Sequence, residues 1–416
     1  MRGALICLLL VIVPCGLMAQ DTLRVLGLEE AVQLAWKLNP RLQQLLHARE
    51  AARAQRFLKL ELEEPFLSYY REGIPTAEGG GFAEQRWTLE QAGPSPLTAY
   101  FAWRSGSMEI EALEHEIEAL RRTIKRDVKK AYTRVLFSRS MLGLYRESIK
   151  IAEEVLRTTM LRLEAGEATE LDRLKADLQL ATARNQEARA LQAYHAARYA
   201  LFEQVGLPPA YQRYDISFTD TLRYRKATFS QEGMLQRLSQ QPLMQAQARM
   251  LEAARLRLRA QQYQWLPAPT VSYYRQDYGD GYHYYGFLVG VRLPLFSTRS
   301  RIQEARSRLE QERWLYQEKL LKLKRQAEDA WHGYEAARET IERFMETIGK
   351  ESEELLTLTL EAYRAGSIDL LSLLDTQRTY LQHRIQFYEA LRDYYLRLVE
   401  LEYFLREDIV LEDVQP

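Results

Sequence analysis

The chain carries a copy of itself. Asn39-Pro40 is answered by Gln241-Pro242, and Glu50-Ala51-Ala52-Arg53 by Glu252-Ala253-Ala254-Arg255, both 202 residues later. Ser68-Tyr69-Tyr70-Arg71 returns as Ser272-Tyr273-Tyr274-Arg275 at an offset of 204. Ala165-Gly166 returns as Ala365-Gly366 at 200, with Leu171 and Leu174 mirrored by Leu371 and Leu374. Four anchors in one order at nearly one spacing identify a duplicated half-protein, because the period is too long for a solenoid unit. The seam falls in residues 207–230, an irregular stretch with Pro208-Pro209 and few periodic apolar positions. The repeats are therefore residues 20–206 and 231–406, with a tail at 407–416.

Each half reads helix, two strands, long helix, turn, helix. Leu28 to Glu63 and Gln231 to Gln264 are rich in alanine and leucine, and Pro65 and Pro267/Pro269 stop them, since proline cannot continue a helical ladder. The period then changes. Tyr285, Phe287, Val289, Val291, Leu293 and Leu295 share one face of a strand, while Gly286, Leu288, Gly290, Arg292 and Pro294 share the other. A face that is apolar throughout, set against a small or polar one, is the pattern of a barrel strand touching lipid, although a half-buried strand of a soluble sheet carries it too. Hairpins are expected at 65–91 and 268–296, turning at Gly79-Gly80-Gly81 and Gly279-Asp280-Gly281. Tyrosine crowds the second one at 273, 274, 278, 282, 284 and 285, which suits the amphipathic edge of a membrane.

The helices that follow are long. Val128, Val135, Leu142, Ile149, Leu156 and Leu163 are spaced by sevens, and Ile110, Ile117 and Ile124 extend the row upstream after a four-residue stutter. Leu320, Ala327, Tyr334, Ile341, Ile348, Leu355 and Ala362 form the same row in the second half. A sustained seven-residue period predicts helices packed side by side as in a coiled coil. From Tyr100 to Glu164 such a helix would run roughly 100 Å at about 1.5 Å per residue. The helix from Arg301 to Arg364 should match it. Each ends at Ala-Gly and reverses into a second helix, Glu170 to Gln204 or Leu370 to Arg406, giving tips at 165–169 and 365–369.

Composition narrows the function. Residues 1–19, with Arg2 before an apolar run from Ala4 to Val13 and then Pro14 and Ala19, read as a secretory signal peptide. Both cysteines, Cys7 and Cys15, lie inside it, so a mature chain would hold no thiol for a disulfide, a metal or a nucleophile. Lys+Arg and Asp+Glu both number 57, which leaves no basic field for nucleic acid. No apolar run after the leader reaches the roughly 18 residues of a spanning helix, so any crossing must use strands. His47, His115, His195, His283, His332 and His383 are scattered without a ligand-type pairing, and no glycine-rich phosphate loop follows a strand. An enzyme is not expected, nor any cofactor or metal.

Four strands cannot close a barrel, because the smallest need about eight and an open edge in lipid leaves backbone groups unpaired. The chain is therefore expected to oligomerise, making a tube of strands continued by a ring of long helices. The fold class is mainly α with a transmembrane β-barrel.

The residues Leu28-Glu29-Glu30-Ala31 leading to Asn39-Pro40, the two Glu-Ala-Ala-Arg segments, and the turns Leu163-Glu164-Ala165-Gly166 and Tyr363-Arg364-Ala365-Gly366 resemble the TolC-like outer membrane efflux proteins. The leucine-rich helix start Leu370-Leu371-Ser372-Leu373-Leu374-Asp375 belongs to the same likeness, which covers about Leu26 to Arg406. The resemblance implies a homotrimer with a 12-stranded barrel and a 12-helix tunnel in the outer membrane of a Gram-negative bacterium. It implies docking to a periplasmic adaptor and an inner-membrane pump of the RND or ABC type, in efflux or type I secretion. It also implies a periplasmic gate at Asp172 and Tyr363, matching positions that bond across the two hairpins, and at Asp375, matching a member of an acidic ring. Ser372 and Ile368 depart from the pattern, standing where an acidic residue and a gate arginine can occur. The tips Ala165, Gly166, Glu167, Ala365, Gly366 and Ser367 are small enough for an adaptor hairpin to approach. The competing expectation is a secreted coiled-coil scaffold or adaptor that does not span the membrane.

Overall fold

The computed structural model describes residues 25–60, 63–73, 82–207, 217–228, 238–293, 298–347, 351–405 and 409–413. The expected signal peptide, the Gly79-Gly80-Gly81 turn and Leu295 lie outside them.

The first helical stretch is two helices, α1 (Leu28–Leu38) and α2 (Pro40–Leu58), instead of one from Leu28 to Glu63. Pro40 has no N–H and sits at the first position of α2, where that donor would have no helical partner anyway. The Asn39 side-chain oxygen caps the new start, accepting from the N–H groups of Arg41 at 3.0 Å and Leu42 at 3.4 Å. Strands β2 (Phe66–Glu72) and β3 (Glu84–Ala92) follow, then α3 (Pro96–Glu164), 69 residues capped by Ser95 and opened by Pro96, and α4 (Glu170–Val205).

The second half repeats this order with α5 (Pro242–Gln262), β6 (Ala268–Asp277), β7 (His283–Arg292), α6 (Thr298–Thr347), α7 (Glu351–Arg364) and α8 (Leu370–Leu405). The long helix expected as one rod from Arg301 to Arg364 is thus described as α6 and α7. Ala327, Tyr334 and Ile341 of its heptad row are buried, but Leu355 is exposed and the covered positions become Leu356 and Tyr363. A straight helix drifts about 20° per heptad, so a strict row of sevens walks off its seam unless the helices supercoil fully. Ile348 lies outside the described residues.

The seam at 207–230, read as irregular, and the tail at 407–416 contain short strands. Parallel pairing joins β1 (Val25–Leu26) to β4 (Ser217–Phe218), and antiparallel pairing joins β5 (Arg225–Thr228) to β8 (Val410–Asp413). Strands this short carry no period. Long-range pairing makes them, and the buried Tyr132 holds the first pair in place. Its hydroxyl lies 2.5 Å from Asp220 Oδ2 and 3.1 Å from the Leu26 carbonyl.

Each half has its own core beside this belt. Leu26, Val32, Leu42, Val128, Val135 and Phe202 pack in the first, and Leu238, Met244, Ala327, Tyr334, Leu391 and Tyr394 in the second. The two halves meet along α3 and α8, where the Lys129 ammonium donates to both Glu402 carboxylate oxygens at 2.7 and 2.8 Å.

Duplication extends to hydrogen bonds. Asn39 Nδ2 donates to the Gln204 carbonyl at 3.2 Å, and Gln241 Nε2 donates to the Phe404 carbonyl at 2.8 Å. In both halves an amide before proline therefore ties the first helix to the end of the last one. At the end of α4 that arrangement needs Gly206, at φ +78, where a β-carbon would stand 2.9 Å from the Leu38 carbonyl oxygen.

Candidate functional site

The strands assemble into one antiparallel sheet in the order β2-β3-β6-β7, so the hairpins of the two halves are joined through β3 and β6. Its register sorts side chains by face, because residues directly opposite one another point the same way. Leu67, Leu89, Tyr273 and Phe287 form one row across all four strands; Tyr69, Trp87, Arg275 and Tyr285 form the next on the same face, and Val271 stands opposite Val289. Tyr69 and Trp87 touch with ring centroids 4.7 Å apart, as do Tyr273 and Phe287 at 5.2 Å. Yet the face as a whole is open to solvent, with Phe287 76% and Val289 73% exposed. Of the residues expected to meet lipid, Tyr285, Phe287, Val289 and Val291 fall on this face, and Leu293, also exposed, follows the strand's end.

The opposite face holds Ser68, Thr88, Tyr274 and Gly286 in one row and Phe66, Glu90, Ser272 and Leu288 in the next. Gln276 Nε2 donates to Glu84 at 2.7 Å, and Arg86 pairs with Glu84 at 2.5 Å. One face is thus mostly apolar and uncovered, its polar part being Arg275 and the row Arg71, Gln85, Asp277 and His283, while the other is mostly polar and internally bonded. Among the described residues β2 and β7 are paired on one side only, leaving both outer edges open. Among the described residues no helix is long and apolar enough to cross a membrane.

At the far end of the helices both turns close in the same way. Gly166 and Gly366 share φ +76, and the backbone bonds Glu167 N to Arg162 O (2.8 Å) and Ser367 N to Ala362 O (2.9 Å) wrap the last carbonyls. The tip residues Ala165, Gly166, Glu167, Ala365, Gly366 and Ser367 are all exposed.

Tyr363 is buried beside them, packed with Val155, Ala176, Leu370 and Leu373. The Thr159 hydroxyl donates back to the Val155 carbonyl at 2.8 Å, which leaves its oxygen to accept the Tyr363 phenol at 2.7 Å. Arg162 Nη1 donates to the Tyr363 carbonyl at 2.9 Å, and its guanidinium carbon lies 4.8 Å from the ring centroid. Outside this contact Arg364 Nη2 reaches Glu154 at 2.9 Å. The two hairpins of the chain are therefore clasped between α3 and α7.

Asp172 is placed differently from its expected role. Its Oδ2 accepts from the Thr169 backbone N–H at 3.0 Å and from the Thr169 hydroxyl at 2.7 Å, closing a capping box at the start of α4. Those bonds hold its carboxyl below the usual aspartate range. At the start of α8 the sense is reversed: Asp369 precedes the helix, and its Oδ1 accepts from Ser372 N–H at 3.0 Å. The partners of Tyr363 across the hairpins are Thr159 and Arg162, and Asp172 binds within its own helix start. Ile368 joins the apolar cluster around Tyr363, while Asp375 is exposed and paired with Arg378 at 3.0 Å. Thr159 and Arg162 carried no signal in the sequence, since their partners are set by how two hairpins pack, while Asp369 before the helix start Leu370 could have been found as a helix cap. Among the described residues no group of three or more His, Cys, Asp or Glu is placed to hold a metal ion.

Comparison with known proteins agrees with this geometry. Structures with the same fold include a membrane protein from Pseudomonas aeruginosa, at 22% identity and a TM-score of 0.76 over 91% of this chain and 93% of that one. The Campylobacter jejuni CmeC outer membrane channel matches at 16% identity and 0.76, over 91% of this chain and 85% of the other. The open state of the Neisseria gonorrhoeae MtrE outer membrane channel matches at 17% and 0.75, over 91% and 88%. A search of curated protein sequences returned no match. The model of the outer membrane efflux protein family matches residues 99–207 and 235–405, well over half of the sequence. The chain belongs to the outer membrane efflux protein family and is an outer membrane channel.

Proposed function

We propose that three copies of the chain close a 12-stranded barrel through the open edges of β2 and β7, and that the finished wall passively conducts substrates out of the cell. The observation that carries this reading is the division of the four-stranded sheet into one uncovered, mostly apolar face and one mostly polar face. In lipid the apolar face turns outward, with Tyr285, Phe287, Val289 and Val291 against acyl chains, and the polar face encloses water. Exposed leucines support the same assembly along the helices. Leu171, Leu174 and Leu178 form a stripe on α4, and Leu355 and Leu358 lie on α7, ready to pack against a second copy.

The tips are where a periplasmic adaptor would dock, linking the duct to an inner-membrane pump in a tripartite efflux or type I secretion assembly. The gate is the clasp at Tyr363, with Asp172 stiffening a helix start beside it and Asp375 charging the rim. Alkaline carbonate extraction, size in detergent and planar-bilayer recording test the reading together. A carbonate-resistant trimer that conducts ions is expected. A monomer that washes off the membrane and forms no pores would leave a periplasmic coiled-coil rod in its place.

A further inference from the structure

On the polar face of the sheet one aromatic ring lies down. Tyr274 of β6 stands directly opposite Gly286 of β7, and a β-carbon built on Gly286 would overlap the Tyr274 ring at its outer end, at Cζ and the hydroxyl. The ring therefore occupies the space a side chain at residue 286 would need. Above it, the Arg86 guanidinium carbon stands 5.6 Å from the ring centroid, and Arg86 is itself paired with Glu84. Tyr274 is half-buried even though no second layer covers this sheet, and its neighbours on the same face, Ser272 and Gln276, are buried. On the other face Tyr69 and Tyr273 pack against neighbouring rings, and Tyr285 is 61% exposed. A glycine on an edge strand loses packing and ordering energy, and an aromatic ring laid across it from the neighbouring strand restores the packing.

We infer that Gly286 sets the aperture of the barrel: its missing side chain lets Tyr274 lie flat against the wall, keeping three phenol rings out of the water-filled lumen. This rests on the reading above that the polar face is the lumenal one. Tyr274 is the element that moves and Gly286 is the positioning residue. Any β-carbon at 286 meets the far end of a side chain instead of backbone, so the ring can swing aside while the strand pairing survives. The direction left to it is away from the wall. Arg86 loses its stacking partner in the same step and stays held to the wall by Glu84.

The test is single-channel conductance of the purified full-length channel in planar bilayers. Gly286→Ala, and Gly286→Val as a second variant, are expected to assemble normally and to lower conductance by about twofold, since lumen width is otherwise fixed by the strand number. Adding Tyr274→Ala to either should restore conductance, which general damage to the strand would not allow. Tyr274→Ala alone should change it little. Unchanged conductance in both Gly286 variants, or a loss that Tyr274→Ala does not rescue, would overturn the inference.

The lumenal reading is checked separately. Residues 20–416 contain no cysteine, so Leu288→Cys or Val289→Cys introduces the one thiol of that stretch. A water-soluble thiol reagent should reduce current through the Leu288→Cys channel and leave Val289→Cys untouched. The reverse pattern would overturn the face assignment, and the aperture role with it.

Discussion

The phenol of Tyr363 donates to the hydroxyl of Thr159 across 204 residues of sequence, at 2.7 Å and out of reach of water. That separation is nearly one repeat, so the contact joins almost equivalent positions of the two hairpins. Because the bond is buried, removing one partner costs more than removing both. Thr159→Val should destabilise the tip by about 1–3 kcal/mol by stranding the phenol, and Thr159→Val with Tyr363→Phe should recover much of the loss. Hydrogen exchange of the α3 and α7 amides near the tip, compared across the cycle, measures the coupling.

Arg162 is the cation of the clasp. Arg162→Ala removes a charged donor to the Tyr363 carbonyl together with its stacking on the ring, a combined loss of about 1.5–3 kcal/mol. Conductance in planar bilayers should rise. Equal conductance in variant and parent would show that the clasp does not restrain the tips.

Asp172 should act on helix order. Its carboxyl is held low mainly by the Thr169 hydroxyl and then by the Thr169 backbone N–H. A group with a depressed folded pKa stabilises above its unfolded value, here 3.8, and loses that contribution as pH falls through the lower folded value. The first turn of α4 should therefore fray only under strongly acidic conditions, and Asp172→Asn should fray it at neutral pH as well. Amide exchange of residues 170–173 against pH reads this directly.

Arg378 is paired with the exposed carboxylate of Asp375. An exposed pair of this kind adds at most about 1 kcal/mol to stability, so Arg378→Ala should leave the melting temperature nearly unchanged. With Asp375 on the rim of the gate proposed above, the effect of the substitution is expected in the pore. With Asp375 unpaired, reversal potentials under a salt gradient should shift toward cations, and Asp375→Asn should shift them the other way.

The paired amides before proline are structural. Asn39→Ala and Gln241→Ala each strand a carbonyl at the end of the last helix of their own half. Each should cost about 1–3 kcal/mol, and because the sites are far apart the losses should add. Thermal unfolding of the single and double variants checks both statements.

Much of the architecture was legible in one dimension because it repeats with a period. Heptad rows gave the long helices, the alternation from Tyr285 to Leu293 gave an apolar strand face, and Ala-Gly gave both tips. These features depend only on backbone geometry and on where apolar side chains fall along it, so a single strand or helix contains them. The break at Asn39-Pro40 departs from the single helix expected from Leu28 to Glu63, although proline acts on its own helix.

What the tertiary structure decided was which residues meet. Short strands such as β5 and β8 are created by a partner about 190 residues away and have no period of their own to read. The clasp fell to Thr159 and Arg162 because the side-by-side packing of two hairpins fixes those distances, whereas the bond of Asp172 to Thr169 is a local capping box written in the Thr-x-x-Asp spacing. The flat Tyr274 over Gly286 has the same origin. The sequence holds a tyrosine at 274 and a glycine at 286, but only the register of β6 against β7 set one on the other. Periodic local geometry is written along the chain, whereas contacts between distant segments depend on register and packing, which no single segment specifies.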